Sequence, residues 1–259
     1  MKLFDAHNHL QRLPAPRRAA SAIEDARKAG VVVMAVNAVG PKDWPDIARL
    51  AADFPDVIVP CFGAHPWTVE ELKPGWEAGL RGRLEEFPSA CVGEIGLDRA
   101  PGRPDFALQL EIFRSQLRLA GELGRPAVVH CVGAWEALLS ALKAERPAKF
   151  LLHAYGGAPE LVPALSRLGA YFSFAGALAQ PRRRRLRLSL AAAPKGRVLF
   201  ETDSPGPAPG DLGWRGGPAD VAEVVADAAG VLGMRVEELA DLAWRNAGAF
   251  LEGLWPRGS

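Results

Sequence analysis

Short runs rich in apolar and β-branched residues alternate with longer stretches of helical period from one end of the chain to the other. That alternation predicts parallel strands wrapped by helices. The predicted strands are Lys2–Ala6, Val31–Asn37, Val57–Gly63, Ala90–Gly93, Ala127–His130, Phe150–His153, Ala170–Phe174 and Arg197–Glu201. Helical segments run over Arg17–Ala29, Trp44–Asp53, Trp76–Glu86, Asp105–Leu123, Trp135–Glu145, Pro159–Leu168 and Arg182–Ala192, with Pro218–Leu232 and Val236–Leu254 after the last strand. Gly30, Gly124, Gly169 and Gly196 each close a helical run just before a strand, as left-handed caps do.

Eight strand–helix units are what a (β/α)8 TIM-type barrel requires, and such a barrel occupies about 250 residues. The chain has 259. No internal repeat or low-complexity linker divides it, so residues 1–259 are expected to form a single domain; a doubly wound open sheet is the alternative fold. The fourth and seventh strands carry the weakest signal. One connection is long and rich in Gly and Pro, Ser204 to Pro218, directly after the eighth strand.

Composition then narrows the function classes. With a net charge of +1, 49% apolar and 24% charged residues, the chain is not a binder that holds nucleic acid by bulk positive charge. Three widely spaced cysteines, Cys61, Cys91 and Cys131, form no Cys-x-x-Cys pair and argue against a disulfide framework. No apolar stretch approaches the roughly 20 residues of a membrane span, and no signal peptide is evident. A cytoplasmic protein without membrane association or an obligate protein partner is expected.

The five histidines all fall at strand ends. His7 and His9 follow the first strand and His65 the third, while His130 and His153 end the fifth and sixth. Glu94 follows the fourth and Asp203 the eighth. In a barrel the C-terminal edge of the strands is the active-site face, so seven metal-capable side chains gather there. In extended chain, residues i and i+2 point the same way, and His7-Asn8-His9 can therefore present both imidazoles to one cation. Alone, that spacing is equally compatible with two surface histidines; the whole set makes the case.

Imidazole and carboxylate donors suit Zn²⁺, Mn²⁺, Ni²⁺ or Fe²⁺ better than Ca²⁺, and Mg²⁺ less well. Four histidines and two carboxylates exceed one tetrahedral ion. Two divalent ions about 3.5–4 Å apart, sharing a carboxylate, would use them all.

The motifs that hold these residues are Phe4-Asp-Ala-His-Asn-His-Leu10, Gly63-Ala-His-Pro-Trp67, Gly93-Glu-Ile-Gly-Leu-Asp98, Val128-Val-His-Cys131, Leu152-His-Ala-Tyr-Gly-Gly157 and Glu201-Thr-Asp-Ser-Pro205, with Asn246-Ala247 and Phe250 near the end. In this order and over nearly the whole chain, the sequence resembles the TatD-type metal-dependent DNases, among the amidohydrolase-like barrels. The resemblance implies that His7, His9 and Asp203 hold one metal and His130 and His153 a second, with Glu94 bridging. It implies that His65 faces substrate phosphate and that the activity is metal-aided hydrolysis of DNA, exonuclease-like. Three positions depart from the family pattern. Gln11 stands for the usual Asp, Arg99 for an aromatic, and His130-Cys131-Val132 lacks an Arg two residues after the histidine. Losing that Arg removes a bidentate phosphate donor, for which Arg99 is a candidate replacement.

Other features are weighed against plainer readings. The run Arg182 to Arg185 with Arg187 can track a phosphate backbone, but the solvated face of an outer helix is the favoured reading. Trp67, Tyr155 and Trp214 can stack on a nucleobase or pack structurally, and Tyr155 is taken as substrate-binding. Cys131 points away from His130 and reads as a small apolar residue. Asp5, Asp98 and Glu201 read as supporting carboxylates. Glu94 and Asp203 are the catalytic candidates, Asp203 as the carboxylate that takes a proton from water. The expected function is a metal-dependent hydrolase of phosphodiesters in DNA. Its rivals are an amidohydrolase-type hydrolase of a C–N or ester bond and a metal-binding scaffold or nucleic-acid-binding protein without turnover.

Overall fold

Each apolar run pairs beside the next, and the computed structural model, which describes residues 1–13, 19–176, 178, 180–205 and 216–255, shows them as one parallel sheet. The strands are β1 (Leu3–Asn8), β2 (Val31–Asn37), β3 (Ile58–Phe62), β4 (Cys91–Asp98), β5 (Ala127–Val132), β6 (Phe150–Leu152), β7 (Ala170–Phe174) and β8 (Val198–Phe200). They pair in chain order. The first and last edges are stitched at the rim, where Asp203 N–H donates to His7 O at 2.9 Å and His9 N–H to Ser204 O at 2.8 Å. The result is a nearly closed (β/α)8 barrel of the TIM type, not an open doubly wound sheet.

The helices are α1 (Ala19–Lys28), α2 (Trp44–Asp53), α3 (Trp76–Glu86), α4 (Phe106–Glu122), α5 (Trp135–Glu145), α6 (Val162–Arg167), α7 (Arg184–Ala192), α8 (Val221–Leu232) and α9 (Val236–Phe250). The expected start of the first helix at Arg17 lies outside the described residues. So does residue span 206–215 of the long connection, including Trp214. In three helices expected to begin at or beside a proline a 3-10 turn comes first, at Pro159–Leu161, Pro181–Arg183 and Pro218–Asp220. Proline has no N–H to donate and fits that first turn.

β4 runs five residues beyond its expected end, which places Glu94 inside the strand instead of after it. Gly96 adopts φ +149, and a Cβ there would lie 2.0 Å from His130 O, so the close pairing of β4 with β5 beside His130 requires glycine.

Alternate strand residues face opposite ways and form two cores. Leu3, Met34, Ile58, Val92, Phe150 and Phe172 pack outward under the helices. Phe4, Val33, Val59, Cys61, Cys91, Val128, Leu151 and Leu199 fill the barrel. α9 seals the floor through Ala247 and Phe250, the latter 5.1 Å from the Tyr171 ring. With the lower end filled by apolar groups, the polar side chains collect at the opposite, C-terminal rim. All three cysteines are free thiols, and no helix among the described residues is long and apolar enough to cross a membrane.

Candidate metal centre

β4 carries Glu94 to the middle of that rim, where the residue is only 2% exposed. Its two oxygens face two different sets of nitrogens. Oε2 lies 3.4 Å from His7 Nε2 and 3.5 Å from His9 Nε2. Oε1 lies 2.8 Å from His153 Nε2, 3.1 Å from His65 Nε2 and 3.2 Å from His130 Nδ1. Asp203 Oδ1 sits 3.6 Å from both His7 Nε2 and His9 Nε2, completing the first set.

These spacings fit cation coordination. Donors 2.0–2.1 Å from a tetrahedral ion are separated by about 3.3 Å. The pair His7 Nε2 and His9 Nε2 is 3.2 Å apart, as is the pair His130 Nδ1 and His153 Nε2. Buried nitrogens and carboxylate oxygens thus converge at the edge lengths that a divalent ion would set. Imidazole with carboxylate is a donor set for Zn²⁺, Mn²⁺ or Ni²⁺.

The partners of the far ring nitrogens divide the histidines into two kinds. His9 Nδ1 donates to Asn37 O at 2.8 Å, and His130 Nε2 faces Asp98 Oδ2 at 3.3 Å. His153 Nδ1 faces Glu201 Oε1 at 3.4 Å. A carbonyl can only accept, so His9 Nδ1 carries the proton and Nε2 presents a lone pair to the centre, whereas His130 and His153 face carboxylates on both ring nitrogens. His65 is reversed. Its Nδ1 accepts the Trp67 backbone N–H at 3.1 Å, so Nε2 carries the proton and presents an N–H to Glu94. His65 lies at ligand distance, yet it is a hydrogen-bond donor.

Electrostatics follow burial. Burial would raise Glu94, but His65, His153 and His7 outweigh it and hold the carboxyl well below its usual range. Burial pushes His65 down to about 4 against the pull of Glu94, which keeps this imidazole neutral. His130 is raised: burial opposes charge there, and the bonds to Asp98 and Glu94 together prevail.

A layer of carboxylates orients the histidines. Asp5 accepts the Thr202 N–H at 2.9 Å and the Thr202 hydroxyl at 2.7 Å, tying β1 to the segment that carries Asp203. Complete burial lifts Asp5 to about 8 despite those bonds. Glu201 accepts the Ala154 N–H at 2.7 Å and the Ser173 hydroxyl beneath His153. Asp203 itself holds φ 52, a left-handed conformation unusual for aspartate and of the sort that clusters at functional sites.

The predicted set therefore assembles: His7, His9, His65, Glu94, His130, His153 and Asp203 converge. Two substrate-binding expectations do not. Tyr155 is fully buried, its hydroxyl donates to Ala158 O at 2.8 Å, and its ring packs against Trp135 and Phe172. It is a wall residue with no face for a base. Arg99 turns outward onto the Phe106 ring at 3.9 Å. The cation that turns inward is Arg103, four residues later, whose guanidinium lies 4.0 Å over the Trp67 ring, with Nε 3.2 Å from Asp98 Oδ2. In sequence nothing but loop position distinguishes it from Arg99. Gln11 donates to Asn37 O at 2.9 Å, the same carbonyl that orients His9, and reaches the Asp43 carboxylate at 3.3 Å. A carboxylate is thus still coupled to the His9 support, through Asp43. The arginine run begins in the connection after β7, on the same rim as the histidines.

Fold and site together define a (β/α)8 barrel with a histidine and carboxylate centre of the metal-dependent hydrolase class. The chain belongs to the TatD-related DNase family, whose model matches residues 4–252. A 3'-5' ssDNA/RNA exonuclease TatD of Erwinia tasmaniensis is 34% identical over 195 residues, covering 73% of this chain and 74% of that protein. An uncharacterized metal-dependent hydrolase of Haemophilus influenzae is 28% identical over 264 residues, covering 95% and 98%. The crystal structure of YjjV, a TatD homologue from Escherichia coli K12, superposes with a TM-score of 0.88 at 25% identity, covering 96% of this chain and 97% of that one.

Proposed function

We propose that this chain is a one-domain, divalent-metal-dependent hydrolase of phosphodiester bonds in DNA, acting as an exonuclease. The observation that carries the reading is Glu94, whose two oxygens face separate donor sets. His7, His9 and Asp203 would hold one ion, His130 and His153 a second, and Glu94 both. When bound, such ions lower the pKa of water and neutralise phosphoryl charge. The family relationship supports phosphodiesters as substrate, and the free cysteines accord with a cytoplasmic setting.

The protein's own groups have distinct parts. Asp203 is the more exposed carboxylate, its side chain 21% accessible against 3% for Glu94, so it can accept the proton of the attacking water and return it to the leaving oxygen. His65, neutral and with its N–H directed inward, donates a hydrogen bond to a non-bridging phosphoryl oxygen as charge develops there. Asn37 O, Asp98 and Glu201 keep the imidazole rings from rotating.

The test loads the full chain with Mn²⁺, Mg²⁺ or Zn²⁺ and follows end-labelled single-stranded and duplex DNA beside the Glu94→Ala and Asp203→Asn variants. Nucleotide release by the parent and its loss in both variants is expected. Release that survives both substitutions, or turnover of amide or ester substrates without DNA hydrolysis, overturns the reading.

A further inference from the structure

The strand order brings the β4–α4 connection over His130, and one cation in that connection is built into the rim. Asp98 N–H donates to Gln109 Oε1 at 2.8 Å, and Gln109 Nε2 returns a bond to Asp98 O at 3.0 Å, clamping the strand end to α4. The Asp98 carboxylate then accepts the Ala100 N–H at 2.8 Å and the Trp67 indole N–H at 2.6 Å, and faces His130 Nε2. The carboxylate is buried and engaged on both oxygens, Oδ1 by Ala100 and Oδ2 by Trp67. Arg103 packs its guanidinium plane on Trp67 and sets Nε against the same carboxylate oxygen.

Those contacts use one face and one edge of the guanidinium. The terminal nitrogens make no hydrogen bond to protein among the described residues, and the side chain is 33% exposed. Trp67 is itself 36% exposed and stands edge-on to His65 and His130, at 4.6 and 6.1 Å between ring centres. A partly open arginine whose plane and Nε are already fixed loses little freedom on meeting a ligand, and its free fork matches two oxygens of a phosphate.

We propose that Arg103, positioned by Asp98 and Trp67, is a substrate-binding residue that clamps a backbone phosphate of the nucleic-acid strand beside His65 and His130. This rests on the nuclease reading above. It supplies from the β4–α4 loop the cation that the sequence His130-Cys131-Val132 does not provide. The plainer role, a counter-ion for Asp98 alone, predicts a different outcome: removing the arginine would disturb His130 and metal retention, while strand affinity would be untouched once metal is restored.

The test measures binding of a fluorescein-labelled, phosphorothioate-linked single strand to the Mn²⁺-loaded full chain by anisotropy across a salt series, with bound metal measured in parallel. Arg103→Met is expected to weaken binding about tenfold at unchanged metal content and to flatten the log Kd against log salt slope by about 0.7, one lost contact on single-stranded nucleic acid. Arg103→Lys should keep the slope while recovering only part of the affinity, because a point charge cannot form the fork. Arg99→Met should bind as the parent does. Unchanged affinity and slope in Arg103→Met, or metal loss as its only effect, overturns the proposal. Strand binding without hydrolysis by the parent overturns the nuclease reading alone, and absence of strand binding by the parent overturns both.

Discussion

His65 Nδ1 accepts the backbone N–H of Trp67 at 3.1 Å, and this single bond turns an imidazole at ligand distance from Glu94 into a proton-bearing donor. His9 runs the opposite way: its Nδ1 donates to Asn37 O, so its Nε2 presents a lone pair.

A donor and a ligand respond differently to removal. His65→Ala is expected to retain the metal content of the parent while losing about 10²- to 10³-fold in kcat on DNA, the usual effect of deleting one preorganised donor. Metal analysis after gel filtration, run beside steady-state kinetics, checks both halves. Loss of an ion from the variant would make His65 a ligand and the tautomer assignment wrong.

Asp98 serves two neighbours, His130 through Nε2 and the Trp67 and Arg103 pair. Asp98→Asn keeps the shape but places an amide where His130 and Trp67 both need an acceptor. Calorimetric titration with Mn²⁺ should show one of two binding events weakened by about 10- to 100-fold, the usual effect of losing a group that orients a ligand histidine. The event assigned to His7, His9 and Asp203 should stay as in the parent. Equal weakening of both, or of neither, would argue against separate donor sets.

Tyr155 provides the contrast between wall and site. Its hydroxyl bond to Ala158 O is internal, so Tyr155→Phe is expected to lower stability by about 1 kcal/mol, roughly 2–4 °C in Tm for a chain of this size. kcat/KM on DNA should equal that of the parent. A fall of tenfold or more in kcat/KM with Tm unmoved would return Tyr155 to the substrate face.

The barrel and the convergence of these histidines and acids were legible because parallel strands joined by helices all end on one rim, so histidines or acids placed after several strands must meet there. The sequence places Glu94 just after a strand ending at Gly93, whereas β4 continues through it, and the approach of Gly96 to His130 O explains why a glycine sits inside that strand. Roles within the set depended on groups that sequence does not mark, such as the Asn37 carbonyl and the Trp67 amide. Arg99 and Arg103 share a loop, and packing on Phe106 or on Trp67 alone separates them. Tyr155 sits in a motif beside His153, yet its ring folds back over Gly157, where a Cβ would lie 2.5 Å from the phenol oxygen. A tyrosine beside a glycine gives no sign of that direction.

The central claim is that Glu94 joins two cation sites. Anomalous diffraction from crystals of the full chain grown with Mn²⁺ tests it most directly. Two peaks are predicted, one on each side of the Glu94 carboxylate, the first contacted by His7, His9 and Asp203 and the second by His130 and His153, with neither touching His65. A single peak, or a peak ligated by His65 Nε2, would contradict it.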